Sequence, residues 1–200
     1  ANEQGLDQDA LMFHALAYSG MRIGELVALK WKDVDFKNRT ISITKTYYNP
    51  TNNTKKYELV PPKTIKSRRK IIMDESIISM FRQQFKEQNE LKMLYRDKYY
   101  DEGFIFINTE KHPGYPIVVK KAELRMKRLL KIAGLSRDIT PHSLRHTHTS
   151  LLAEARVDLE TIMDRLGHSD DKTTKNVYLH VTQSLKEEAS HKFAELMKSF

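Results

Sequence analysis

Thr140-Pro-His-Ser-Leu-Arg-His-Thr-His148 is followed by Leu166-Gly-His-Ser169 and, ten residues after His168, by Tyr178. Pro141 to Ala155 reads as a helix, Leu159 to Leu166 as a second, Lys172 to Leu179 as a third and Ser184 to Met197 as a fourth. Gly167 reads as the cap of the second. His142 and Arg145 stand three apart, so they share a helix face. A guanidinium beside an imidazole suits a phosphate, one giving paired charge-assisted bonds and the other a single directed donor or acceptor. His142, His146 and His148 also raise a zinc reading, since His142 and His146 lie one turn apart. No glutamate accompanies them in HExxH order, and the competing reading is hydrogen bonding, locally or to an anion. Taken alone, His168 reads as a surface residue and Tyr178 as packing.

Upstream, Leu6 to Tyr18 has apolar residues at helical spacing, with Asp7 as a candidate cap and Gly20 ending the helix. A second helix runs from Ile23 to about Leu29. Arg22 sits at its start, where free N–H groups favour anions. Arg22 and Glu25 are also spaced as a helical ion pair, which would make Arg22 structural. Thr40 to Tyr47 alternates and is β-branched, so it reads as one strand, and Asn49 to Asn53 is turn chemistry. Glu58 to Pro61 and Arg69 to Met73 read as two more strands, with the basic Lys63-Thr-Ile-Lys-Ser-Arg68 in the turn between them. Asp74 to Tyr95 is a long helix with Ile77, Ile78, Phe81 and Phe85 inward. Phe104 to Ile107 is a buried extended piece, and Pro116 to Ala133 a basic helix ended by Gly134. The expected fold is one α+β domain, mainly α-helical, with a small three-stranded antiparallel sheet.

The chain has 200 residues, 40% hydrophobic and 30% charged, enough for a packed core. Mean hydropathy is −0.60, and no run approaches the roughly 18 apolar residues of a membrane span. No signal peptide is visible at the N-terminus. With no cysteine, disulfides, thiolate zinc sites and a cysteine nucleophile are excluded, in keeping with a reducing cytoplasm. No phosphate-binding GxxxxGK[ST] loop, GxSxG elbow or kinase signature occurs.

Net charge is +8, with a pI near 9.5. Residues 55–70 hold seven basic side chains against Glu58, and residues 120–137 hold seven against Glu123, while residues 74–102 are net acidic. Two concentrated patches either side of an acidic stretch suit a surface that follows a nucleic-acid backbone; the plainer reading is two solvated faces.

Ser19-Gly-Met-Arg-Ile-Gly-Glu-Leu26, Pro62-Lys-Thr64, Pro141-His-Ser-Leu-Arg-His-Thr147, Leu166-Gly-His-Ser169 and Tyr178 together resemble the catalytic domain of the tyrosine recombinases, the phage integrase family. The order agrees from about Leu6 to Tyr178, and the style is most similar to integrases of Gram-positive phages and conjugative transposons. The resemblance implies site-specific recombination through a 3′-phosphotyrosine, without metal, ATP or other cofactor. Relaxation of the type IB topoisomerase kind, or a DNA-binding regulator that has lost catalysis, are the alternatives. By the same resemblance Arg22 and Arg145 clamp the scissile phosphate, His142 serves as an acid/base and hydrogen-bonding group, and His168 contacts a non-bridging oxygen or supports the nucleophile. Lys63 is the general acid, with Lys66 the competing choice. Tyr178 is the nucleophile, and Glu25 buttresses Arg22.

Lys66, Arg68, Lys120, Lys121 and Arg125 are the expected DNA contacts. Implied partners are double-stranded DNA, further protomers in a tetrameric synapse, and accessory DNA-bending or excisionase proteins, with no membrane partner. The implied location is the bacterial cytoplasm, at the nucleoid. Residues 1–182 would form the catalytic domain. Residues 183–200 would be a helical tail with an apolar stripe of Leu185, Ala189, Phe193 and Leu196, docking on a neighbouring protomer or on its own domain. The core-site-binding and arm-binding domains that normally precede this one are not among these 200 residues, which suggests a fragment or a minimal relative.

Overall fold

The computed structural model describes residue 6 and residues 8–62, 64, 67–167 and 172–198, leaving aside the side chains at 184–186, 188 and 189. Asp7, Lys63, Lys66 and His168, each given a role above, lie outside the described residues. Among the described residues seven α-helices carry the fold: α1 (Asp9–Ser19), α2 (Ile23–Val27), α3 (Glu75–Tyr95), α4 (Val119–Ile132), α5 (Pro141–Glu154), α6 (Leu159–Leu166) and α7 (Lys172–Met197). The strands are β1 (Val34–Asp35), β2 (Thr40–Ile43), β3 (Thr46–Tyr48), β4 (Glu58–Val60) and β5 (Arg69–Ile72).

Local chemistry sets the helix ends. The Asp74 carboxylate accepts from the Ser76 N–H at 2.9 Å at the start of α3. Asp158 does the same for Thr161 at 2.9 Å at the start of α6. α5 opens on a reciprocal box: the Thr140 hydroxyl accepts from the Ser143 N–H, the Ser143 hydroxyl accepts from the Thr140 N–H, and Pro141 takes the first turn. Gly167 closes α6 at φ +70°.

One core joins α1, α2, α3 and the sheet. Met12, Leu16, Leu26, Ile41, Ile71, Ile78, Phe81 and Phe106 are all sealed from solvent. Phe104 to Ile107 is buried as expected and bridges to Lys30 and Pro116. A smaller cluster of Ala153, Ile162 and Leu166 lies beneath α5 and α6, with Leu152, Val157, Tyr178 and Val181 packed against it. Among the described residues no helix is long and apolar enough to cross a membrane.

The mainly helical fold with a small antiparallel sheet is as expected, but the sheet is assembled differently. The strand read from Thr40 to Tyr47 divides after Ile43. β2 pairs on one side with β1 and on the other with β5, antiparallel, in the order β1-β2-β5. β3 leaves that sheet and pairs with β4. Lys45 turns to the Asp33 carboxylate at the break. β3 then lies on α2, where a Cβ at Gly24 would come within 2.7 Å of Thr46 Oγ1. Ile41, Ile43 and Tyr47 stay buried across the division, so alternation alone does not reveal it.

Two helices also differ. α4 begins at Val119 rather than Pro116, because the Ile117 N–H is committed to Phe106 O at 3.0 Å. The two helices expected from Lys172 to Leu179 and from Ser184 to Met197 are the single helix α7. No Gly or Pro interrupts this span, and the Thr182 hydroxyl donates back to Tyr178 O at 2.9 Å, which keeps its polar group inside the helix. The boundary drawn at residue 182 therefore falls inside a continuous helix.

Gly20 is where α1, α5 and α6 meet. It ends α1 at φ +63°, and a Cβ there would stand 2.6 Å from His148 Cδ2 and 2.7 Å from Leu166 Cδ2. Gly20→Ala is expected to lose roughly 2–4 kcal/mol of stability, from left-handed strain plus overpacking. Denaturant unfolding of the two proteins checks this.

Candidate active site

Arg22 is the last extended residue before α2. Glu25, in the first turn and 3% exposed, accepts from the Arg22 N–H at 2.9 Å and from Arg22 Nη1 at 3.2 Å. The helical ion pair expected from the Arg22–Glu25 spacing is present. A second guanidinium meets the same carboxylate. Arg69 Nη2 donates to Glu25 Oε2 at 2.9 Å and Nη1 to Oε1 at 3.2 Å, a bidentate fork. Burial pushes the Glu25 carboxyl up, but the bonds and charges of Arg69 and Arg22 outweigh it and hold the group below its usual range.

Arg145 is buried at 3% exposure. Its Nη1 donates to Gly20 O at 2.5 Å and its Nη2 to Leu166 O at 2.7 Å. One guanidinium thus joins the carbonyl two residues before Arg22 to the carbonyl two residues before His168. The two motifs, 146 residues apart in sequence, are held at a single side chain. α7 packs along α5, and Tyr178 rests on the cluster containing Leu166. Arg22, Glu25, Arg145 and Tyr178 therefore belong to one connected framework. His142 is exposed on the first turn of α5, its ring edge-on to His146 at 4.6 Å between centroids.

His148 has a structural place. It is buried; Nδ1–H donates to Ala17 O at 2.9 Å, and Nε2 accepts from Arg165 Nε at 3.2 Å. With both ring nitrogens engaged, it is not available as a third ligand beside His142 and His146. Among the described residues no group of three or more His, Cys, Asp or Glu is placed to hold a metal ion.

Arg69 and Arg165 are the residues that motif reading missed. Arg165 also donates to Tyr18 O at 2.9 Å, and its own carbonyl accepts from Arg69 Nε at 2.7 Å. Ser67 Oγ donates to Gly167 O at 3.2 Å, rooting the basic turn on the end of α6. In the sequence Arg69 is one charge of the basic run at 55–70, and Arg165 stands in neither basic patch. The signal for a different role is Arg69's place at the first residue of a strand, two residues before the buried Ile71.

The basic patches divide by depth. Arg125, expected on DNA, is a correction: it is buried and ion-paired with the wholly buried Asp9 at 3.1 Å, joining α4 to α1. The apolar face of α4 carries it inward with Ala122 and Met126. Lys120 and Arg68 are exposed. Lys121 is half-buried and donates to Asn108 Oδ1 at 2.8 Å; burial first, then the Arg125 charge, pulls its pKa down. With Lys55, Lys111 and His112 it lines a polar cleft of about 450 Å³.

Residues 3–184 match the phage integrase family, and the chain belongs to that family. It is 38% identical over 181 residues to the integrase of Staphylococcus phage L54a, covering 90% of this chain and 50% of that protein. It is 28% identical over 199 residues to the ICEBs1 integrase of Bacillus subtilis strain 168, covering 96% and 51%. The chain spans about half the length of these curated relatives. Among solved structures it is similar to the Tn1549 transposon integrase in complex with circular intermediate DNA. That match has a TM-score of 0.70 and 28% identity over 90% of this chain and 59% of the other. The fold is that of the tyrosine recombinase catalytic domain.

The state of His148 sets a pH dependence. Burial, then the charges of Arg165 and Arg145, lower its pKa from 6.5 to about 4, against the opposing bond to Ala17. The unfolded chain therefore binds more protons between those values, so this contribution is complete above 6.5 and is lost as pH falls toward 4. The loss is on the order of 3 kcal/mol. Urea unfolding at stepped pH should show this slope in the wild type, and His148→Gln should flatten it.

Proposed function

We propose that this chain is the catalytic domain of a site-specific DNA recombinase. Tyr178 attacks the scissile phosphorus, forming a 3′-phosphotyrosine, and the 5′ oxygen leaves as a hydroxyl. Its proton comes from Lys63, with Lys66 as the competing donor. A 5′-hydroxyl of another strand then attacks the phosphotyrosine and releases Tyr178, so bond energy is conserved without ATP. Arg22 and Arg145 spread the charge that develops on the non-bridging oxygens. His142 hydrogen-bonds beside the phosphate and, as acid/base, takes the phenol proton that Tyr178 loses on attack. His168 completes the oxygen contacts or supports the nucleophile. No step uses a metal or other cofactor.

The observation that carries this reading is the Arg145 guanidinium, which ties the Gly20 and Leu166 carbonyls and so draws three separated motifs to one place. The naming of similar proteins as integrases, and the binding of circular intermediate DNA by one of them, support the substrate class.

Lys120, Lys121 and Arg68 follow the duplex backbone, joined by Lys66. Arg125 has no such role. The far half of α7 presents Phe193 and Met197 largely to solvent; it docks on a neighbouring protomer in a tetrameric synapse on paired sites. Accessory DNA-bending or excisionase proteins set direction, and the protein works at the nucleoid.

On a nicked duplex carrying the element's own recombination site, the wild type should leave a protein–DNA adduct on Tyr178 that persists in EDTA. Tyr178→Phe should leave none. An adduct in that variant would displace the nucleophile, loss with chelator would restore the metal reading, and relaxation without recombinant product would favour a topoisomerase.

A further inference from the structure

We infer that Arg69 is a positioning residue for the phosphoryl transfer proposed above, on which this inference rests: it takes up the charge of Glu25 from behind, so that the Arg22 guanidinium keeps its positive field for the phosphodiester. Arg22 and Glu25 as an isolated pair are neutral, and an approaching phosphate would meet little net field. With Arg69 the triad carries one net positive charge. The arrangement is directional, because the Arg22 side chain is 44% exposed whereas those of Glu25 and Arg69 are 4% and 5% exposed. The compensating cation lies on the protein side and the phosphate-facing cation on the solvent side. At low local dielectric this order matters more than it would in water.

The fork is needed as well as the charge. Arg69 meets both Glu25 oxygens, at 2.9 and 3.2 Å, while its Nε donates to Arg165 O at 2.7 Å and its Nη1 to Ser67 O at 3.1 Å. A Cβ at Gly167 would stand 2.9 Å from Arg69 Nη1. The guanidinium is thus clamped between α2, the root of the basic turn and the end of α6. Lysine supplies the charge from one nitrogen and cannot meet all of these acceptors.

The test compares wild type, Arg69→Gln and Arg69→Lys at saturating protein, following adduct formation on two nicked duplexes. One carries the ordinary scissile phosphodiester and the other a neutral methylphosphonate in its place. Arg69→Gln should slow the phosphodiester by about 100-fold, the scale of losing one oxyanion donor, and the methylphosphonate by less than about ten-fold. Arg69→Lys should fall between Gln and wild type on the phosphodiester. Equal slowing on both substrates, the mark of a merely structural role, overturns the inference, as does Lys behaving like Gln. A second measurement does not need cleavage: in carboxyl-carbon NMR the Glu25 titration should move to higher pH in Arg69→Gln, and an unmoved titration overturns the inference. A wild type that forms no adduct contradicts the recombinase reading, while the Glu25 titration still decides the role of Arg69.

Discussion

One guanidinium holds the site together. Arg145 lies in the interior with its two terminal nitrogens on the carbonyls of Gly20 and Leu166. Those oxygens end α1 and α6, and each is an orphan acceptor of the kind every helix terminus leaves. Satisfying them from α5 fixes three helices against each other. Gly20 is the residue that permits the approach, since a Cβ there would strike His148 and Leu166. His148 and Arg165 then close the same junction from the other side.

Around that junction the cations are sorted by depth. Arg69, Arg125 and Arg145 are buried, and the first two are matched by the buried carboxylates Glu25 and Asp9. Buried charges persist only when paired and hydrogen-bonded, so these arginines set geometry. Arg22, Arg68 and Lys120 lie nearer solvent, where long-range attraction to a polyanion is exerted. Net charge therefore overstates the surface that DNA would meet, because part of it is spent holding helices in place.

Much of this was legible in the residues. The Thr140–Tyr178 stretch gives three helix starts, a glycine stop and the Arg–His face, because caps and helical spacing are local signals. The division of the Thr40–Tyr47 strand was not legible, since burial keeps its alternation through the break. Nor was the inward turn of Arg125: a helix with cations on several faces does not say which one meets Asp9 more than a hundred residues away. Arg69 was hidden in the same way, as one basic residue in a run of four within residues 66–70. Its partner Glu25 was visible from spacing to Arg22, but a three-member arrangement across α2 and β5 is a tertiary fact.

A structure of the chain bound to a nicked duplex, with the scissile phosphate in place, measures the central claim. Guanidinium nitrogens of both Arg22 and Arg145 should lie within hydrogen-bond distance of the non-bridging oxygens of one phosphate, and Tyr178 Oη within about 3.5 Å of its phosphorus. A phosphate seated elsewhere, out of reach of the Arg145 guanidinium, would contradict it.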